Sequence, residues 1–441
     1  MTAHSENKPA AVPPGATQAG NFRDRWSWTE PTVWTDRMLT ALENGVKGGK
    51  WFSLIDKVYS EANLLASYSK VACNEGAAGV DRVTVRMFGD NLESNLARLT
   101  KGLQDGTYRP QAVRRVWIPK PGSRQKRPLG IPTVRDRVVQ TALRNVLEPI
   151  FEQGFAEHSY GFRPGRSCKD ALRRVDELLK AGYRYVVDAD LKSYFDTIPH
   201  DKLMSLLGEK ISDSRVLALI EAFLKQGVMD GLREWTPEEG SPQGAVISPL
   251  LSNVYLNPLD RQMADEGFAM VRYADDFVIL CQSREDAQRA LARIEQWTAE
   301  AGLTLHPEKT RIVDAEAEGF DFLGYRFERG TRWPRKKSLD KLKTSLRAKT
   351  KRNNGHCLHC IITNVNSVSR GWFGYFQHSH WTTFAPIDQW VRMRSRSILR
   401  RRRGGKGRGR GTDHYRWPNS YFAEHGLYSL KLAHARNSQS S

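Results

Sequence analysis

Tyr273-Ala274-Asp275-Asp276 stands between the apolar runs Met270-Val271 and Phe277-Val278-Ile279-Leu280. Such runs predict two buried strands, with a hairpin turn holding the aspartate pair at its tip. Like charges side by side repel unless a cation intervenes, so the motif points to a divalent metal and to phosphoryl chemistry. Aspartate is also common in hairpin turns, and a solvated Asp-Asp turn is the bland alternative. A second carboxylate cluster shifts the balance. Tyr185-Val186-Val187-Asp188-Ala189-Asp190-Leu191 is apolar enough for a central strand yet carries two aspartates. Strand alternation puts Asp188 and Asp190 on one face and Val187, Ala189 and Leu191 on the other, so one aspartate suffices as a ligand. Nucleotidyl transfer by two hard cations about 3.5–4 Å apart needs carboxylates from separate strands. Asp190, Asp275 and Asp276 meet that requirement.

Further motifs follow in a fixed order. They are Gly76-Ala77-Ala78-Gly79-Val80-Asp81, Ile118-Pro119-Lys120-Pro121-Gly122, Arg127-Pro128-Leu129-Gly130-Ile131-Pro132 and His158-Ser159-Tyr160-Gly161-Phe162-Arg163-Pro164-Gly165-Arg166-Ser167. Beyond the Asp190 strand come Ser241-Pro242-Gln243-Gly244, Ser248-Pro249-Leu250-Leu251-Ser252-Asn253, the Tyr273 motif, His306-Pro307-Glu308-Lys309-Thr310, Phe322-Leu323-Gly324-Tyr325 and Arg370-Gly371-Trp372-Phe373-Gly374-Tyr375-Phe376. In this order the chain resembles the reverse transcriptase/maturase proteins encoded by bacterial group II introns, over roughly residues 60–430. Many independent motifs in one order are far more specific than any one of them.

The resemblance implies site residues. Asp190, Asp275 and Asp276 would bind two Mg2+ ions, with Mn2+ as an alternative, and the Leu191 carbonyl would assist. Phe195 would lie under the incoming sugar and exclude a 2′-hydroxyl; core packing is its ordinary alternative. Lys120 and Arg127 would clasp the triphosphate of a dNTP, one as a point charge and one as a forked donor, where solvated surface charges are the alternative. Gln243 would line the nucleotide pocket, or merely fill a polar turn. Three positions depart from the family pattern: Glu75 where Lys is common, Arg82 where Gly is common, and Gly374 where Asn is frequent.

Charge agrees with a nucleic-acid partner. The net charge is +19 over 441 residues. From Arg329 onward 25 Lys and Arg face 4 Asp and Glu, whereas the 328 residues before hold 43 and 45, so polyanion binding concentrates at the C-terminal end. Its densest run is Arg392 to Arg410. Trp381, Phe384, Trp390, Tyr415 and Trp417 interleave the surrounding region, giving arginine for phosphate and rings for stacking.

Residues 1–21 read as a flexible tail without the apolar core of a signal peptide, which points to a cytoplasmic protein without a membrane partner. Five cysteines are too sparse for a disulfide framework. Cys357 and Cys360 form one C-x-x-C step beside His356 and His359, with His378 and His380 downstream; without a second such pair it is a weak zinc signal. Helical spacing predicts helices over 285–301, 215–226, 338–351 and 388–403.

The expectation is therefore an α+β fold. It has the fingers and palm of a right-hand polymerase, a helical thumb carrying the maturase (X) region, and a short basic C-terminal segment. The expected divisions are a tail over 1–21, an N-terminal extension over 22–90, fingers and palm over 91–330, a thumb/maturase domain over 331–410 and a nucleic-acid-binding segment over 411–441. The implied function is RNA-directed DNA synthesis on an RNA template with a DNA primer. Binding of the group II intron RNA would promote splicing and mobility into target DNA. The chain resembles the endonuclease-lacking subgroup. A maturase acting only as an RNA-binding splicing cofactor, and a domesticated or defence-associated reverse transcriptase, are the alternatives.

Overall fold

The structure, a computed structural model, describes residues 22–119, 126–231 and 233–439. Lys120 and the tail over 1–21 lie outside the described residues. The strands are β1 (Val113–Pro119), β2 (Lys126–Ile131), β3 (Tyr185–Asp190), β4 (Val228–Asp230), β5 (Arg233–Trp235), β6 (Ala269–Tyr273), β7 (Asp276–Cys281), β8 (Arg311–Asp314), β9 (Phe320–Phe322), β10 (Tyr325–Glu328) and β11 (Thr331–Pro334). The chain divides into two compact units, one holding residues up to Val175 together with Val187–Arg311, the other Asp176–Val186 and Ile312–Ser441.

In the first unit, β7 is flanked by β6 and β3. The β6–β7 pair is antiparallel, with Met270 opposite Ile279 and Tyr273 opposite Asp276, so Ala274 and Asp275 alone form the turn. Val271, Phe277, Val278 and Ile279 are buried outright, which is why this hairpin reads as continuous apolar runs rather than an alternating pattern. The helix Arg284–Ala301 packs on β7. It begins where Ser283 accepts the Asp286 N–H and stops where Gly302 takes φ +74°. A second sheet has the order β2-β1-β4-β5, and in its β1–β2 hairpin Ile118 faces Arg127. The helix Val134–Glu152 supplies a core of Val138, Val139, Ala142, Leu143, Val146 and Leu147, none of them accessible to water.

In the second unit, β11-β10-β9 form a three-stranded sheet. The helices Lys336–Lys349, Leu358–Phe376 and Phe384–Arg402 bury Leu342, Leu346, Ile361, Val365, Phe373, Phe384, Val391 and Ile398 together. The predicted helices appear within a few residues of their expected ends, and Ser214–Leu224 starts on an Asp213 cap.

Two readings of single residues change. Phe384 and Trp417 are core residues, 0% and 8% exposed, so only Trp381 and Tyr415 of the five interleaved rings stand well out in solvent, at 63% and 88%. Phe384 packs into the core shared by the three helices and Trp417 packs with Leu399 and Phe422, so both rings are drawn inward whatever charges flank them. Arg82, where the family commonly has glycine, takes φ +60°, the left-handed conformation in which glycine costs least.

Candidate active site

Asp275 sits in the two-residue turn and Asp276 opens β7. A turn this tight needs a positive φ, and Ala274 supplies it at +61° in a position where glycine is usual. The strain is held from two sides.

From below, Arg272 is wholly buried at 0% exposure and satisfies its entire guanidinium. Nε and Nη2 form a fork onto the Asp260 carboxylate at 2.7 and 2.5 Å. Nη1 donates to Asn253 Oδ1 at 3.0 Å and to the Ala274 carbonyl at 2.7 Å, while Nη2 also donates to Ser159 Oγ at 2.7 Å. The strained carbonyl of the turn is thus tied to a buried cation.

From the side, the segment His158–Tyr160 runs alongside β6. Arg272 N–H donates to the His158 carbonyl at 3.0 Å, and Tyr160 N–H donates to that of Arg272 at 2.9 Å. The next residue, Gly161, meets the turn backbone to backbone. A Cβ there would lie 2.8 Å from the carbonyl carbon of Tyr273, and closer still to Ala274 N. Asn253 fixes the same glycine by donating to its carbonyl at 2.8 Å. Gly161→Ala is therefore expected to push the aspartate turn off position and lower the turnover number for primer extension by about 10²-fold, since misplacement by about 1 Å is enough for such a loss. Steady-state kinetics alongside a filter assay of RNA binding will check it, with binding expected to hold.

Asp190 ends β3, and its carbonyl accepts the His306 N–H at 2.7 Å. Its carboxylate is paired with Lys309 Nζ. Asp188, on the same face, has Arg311 at 3.9 Å. Asp190 is near enough to Asp275 for their charges to oppose. Burial first, and the Asp190 charge after it, push the Asp275 carboxyl above its ordinary pKa, while Arg127 and Arg272 pull it back. Arg127 is exposed on β2 and its charge reaches Asp275.

Leu191 is buried and pairs with Leu305. Lys192 N–H donates to Thr304 and His306 N–H to Asp190 around that pair, so the Leu191 carbonyl points away from the Leu305 segment. Phe195 is half-buried in the short turn Tyr194–Asp196, and its carbonyl accepts the Ser241 N–H at 2.6 Å. Gln243 sits beside that turn, donating to Asp196 at 3.4 Å. Its own carbonyl accepts the Gly130 N–H of β2 at 2.7 Å. Gly244, at φ +107°, would place a Cβ 2.5 Å from the Gly130 carbonyl, so glycine is required where this turn meets the sheet.

Among the described residues no three His, Cys, Asp or Glu side chains converge as they stand into a group that could hold a metal. Asp190 is engaged by Lys309 instead. The donor set nevertheless fits a hard divalent cation: it is all carboxylate, it comes from separate strands, and it contains a partly buried pair whose charges oppose.

The sequence reading assigned no role to Arg272, Asp260 or Lys309. The signal was present for Arg272, a lone charge inside an apolar strand, because a charge in that setting must find partners.

Residues 118–327 match the reverse transcriptase (RNA-dependent DNA polymerase) family, and residues 339–417 match the maturase-specific domain of group II introns. Protein YkfC of Escherichia coli K12 is 34% identical over 343 residues, covering 69% of this chain and 86% of that protein. The chain belongs to the group II intron reverse transcriptase/maturase family. Group II intron-encoded protein LtrA of Lactococcus lactis subsp. cremoris is 41% identical over 197 residues, 44% of this chain, although that stretch spans only 32% of LtrA. Among solved structures, apo telomerase from Candida tropicalis aligns with 73% of this chain and 68% of that one, at 14% identity and a TM-score of 0.44. Reverse transcriptases of this family use divalent metals, in keeping with the carboxylate set described above. No helix among the described residues is long and apolar enough to cross a membrane.

Proposed function

We propose that this reverse transcriptase extends a DNA primer on an RNA template at Asp190, Asp275 and Asp276, and that its C-terminal unit binds the parent group II intron RNA to promote splicing and mobility into target DNA. The observation that supports the assignment is that Asp190 ends β3 while Asp275 and Asp276 lie at the β6–β7 turn of the adjoining strand in the same sheet. Two Mg2+ ions held there, with Mn2+ as an alternative, would activate the primer 3′-hydroxyl and neutralise the departing pyrophosphate.

The chain's own residues do the rest. Arg127 meets the triphosphate of the incoming dNTP with a forked donor, and Lys120 is assigned the same duty as a point charge. Lys309 serves as the counter-ion of Asp190 until a cation takes over. The Leu191 carbonyl, turned away from the Leu305 segment, would add a neutral oxygen to the carboxylates. Gln243 and Phe195 line the sugar side, with the Phe195 backbone held by its bond from Ser241.

The domain divisions follow the same scheme: an N-terminal extension over 22–90, fingers and palm over 91–330, a thumb/maturase domain over 331–410 and a basic segment over 411–441. Toward the end of the thumb/maturase domain not every arginine faces RNA. Arg396 is 3% exposed and donates to the Trp417 carbonyl and Asn419, while Arg400 pairs with Asp413 at 2.7 Å. Arg401, Arg402, Arg403, Arg408 and Arg410 are exposed and are assigned to phosphate contacts.

The direct test is Mg2+-dependent cDNA synthesis on a defined RNA template by the full chain; no product from folded, RNA-binding protein would refute the polymerase assignment. Phe195→Ala is expected to raise incorporation of ribonucleotides relative to deoxyribonucleotides by about 10–200-fold, the usual worth of one steric contact. Competition between ATP and dATP opposite a single template base measures it, and an unchanged ratio assigns Phe195 to packing alone.

A further inference from the structure

The second unit carries a group that polymerisation does not use. Cys357 caps the helix Leu358–Phe376, and its Sγ accepts the Cys360 N–H at 3.2 Å. The two sulfurs are 2.8 Å apart and both side chains are exposed. Bringing them to the bonded distance of about 2.05 Å requires less than about 1 Å of movement. A structural zinc site takes four ligands, and among the described residues no third candidate joins this pair. His380 is engaged with Thr382 at 2.8 Å.

The surroundings differentiate the two thiols. The hydrogen bond from Cys360 holds the Cys357 thiol below its ordinary pKa, helped by the N–H groups of Cys360 and His359 and by the Arg402 charge. Cys360 is pushed the other way by the same thiol–thiol bond. Arg402 also donates to the His356 carbonyl, which places its exposed cation close to the pair. Such a setting makes one sulfur the attacking thiolate and leaves the other to resolve it, and it favours a negatively charged reaction partner.

We propose that Cys357 and Cys360 are a redox-active dithiol that closes to an intrachain disulfide by exchange with an anionic low-molecular-weight disulfide. The Cys357 thiolate attacks one sulfur of that disulfide, forming a mixed disulfide and releasing one small thiolate. Cys360, giving its proton to solvent, then attacks Cys357 Sγ and expels the second small thiolate. Two protein thiols are oxidised and one small disulfide is reduced to two thiols.

The test uses the full chain in glutathione redox buffers, quenched by alkylation and mapped by peptide mass. Glutathione disulfide is expected to join Cys357 to Cys360 while the buried Cys281 stays reduced. Reaction with cationic cystamine is expected to be slower by about tenfold at low salt, and the gap is expected to shrink as salt screens the arginines. Cys360→Ser is expected to trap glutathione on Cys357, whereas Cys357→Ser is expected to leave Cys360 about tenfold less reactive. Three outcomes would overturn the proposal: both thiols staying alkylatable throughout, Cys360 attacking first, or purified protein holding stoichiometric zinc that protects the pair.

Discussion

Asp275→Asn is expected to lower primer extension on RNA by about 10³-fold or more while leaving intron RNA binding in place. The substitution keeps the shape of the turn but removes one of the charges assigned to the metals, whose stabilisation of transition-state charge is worth several kcal/mol. A second, opposite effect follows from the same geometry. Burial and the Asp190 charge hold the folded-state pKa of Asp275 above its ordinary value. Stability linked to such a group is fully present below the unfolded-state pKa and is lost as pH rises through the folded-state value, so at neutral pH ionised Asp275 opposes folding of the metal-free chain. The asparagine variant is therefore expected to melt at a higher temperature than the parent without metal. It is also expected to gain less from added Mg2+ and to lose part of the pH dependence of stability on the acid side of neutrality. Calorimetry with and without Mg2+, paired with the extension assay, tests all of this. Parent-level extension by the variant would remove Asp275 from the catalytic set.

Arg272→Met is expected to destabilise the first unit by about 3–5 kcal/mol, the cost of stranding one partner of a buried ion pair. Asp260, 6% exposed, would lose its fork, and Asn253, Ser159 and the Ala274 carbonyl would each lose a donor. Against a total stability of about 5–15 kcal/mol, that loss leaves a marginal protein. Arg272→Lys retains the charge but not the five-donor fork, and is expected to fold while extending primers poorly. The double change Arg272→Met with Asp260→Leu is expected to recover stability without recovering activity, because nothing then holds the turn carbonyl. Denaturant midpoints together with extension rates separate the two roles. Parent-like midpoints for Arg272→Met would show that the network is ornamental.

Much of the site was legible because its chemistry is local. The apolar runs around Tyr273-Ala274-Asp275-Asp276 dictate two buried strands whatever the rest of the chain does, and the register puts Asp275 in the turn. Alternation along Val187-Asp188-Ala189-Asp190 likewise placed both aspartates on the less buried face. The cap and stop of Arg284–Ala301 were readable at Ser283 and Gly302 for the same reason. What failed to show was partnership over long separations. Asp260 looks like any polar residue in a helix until Arg272 is seen against it, and Phe384 and Trp417 look like stacking rings until a core closes over them.

The order of motifs and the residue types at each point to the family and to the strands that carry the aspartates, since these depend on covalent sequence and on periodicities of a few residues. Folding alone brought Asp190 beside Asp275, gave Lys309 to Asp190, buried Arg272 beneath the turn and set two thiols within 2.8 Å at a helix start. Those pairings rest on packing and on the demand that buried charges be met, and such forces act between residues that are distant in the chain.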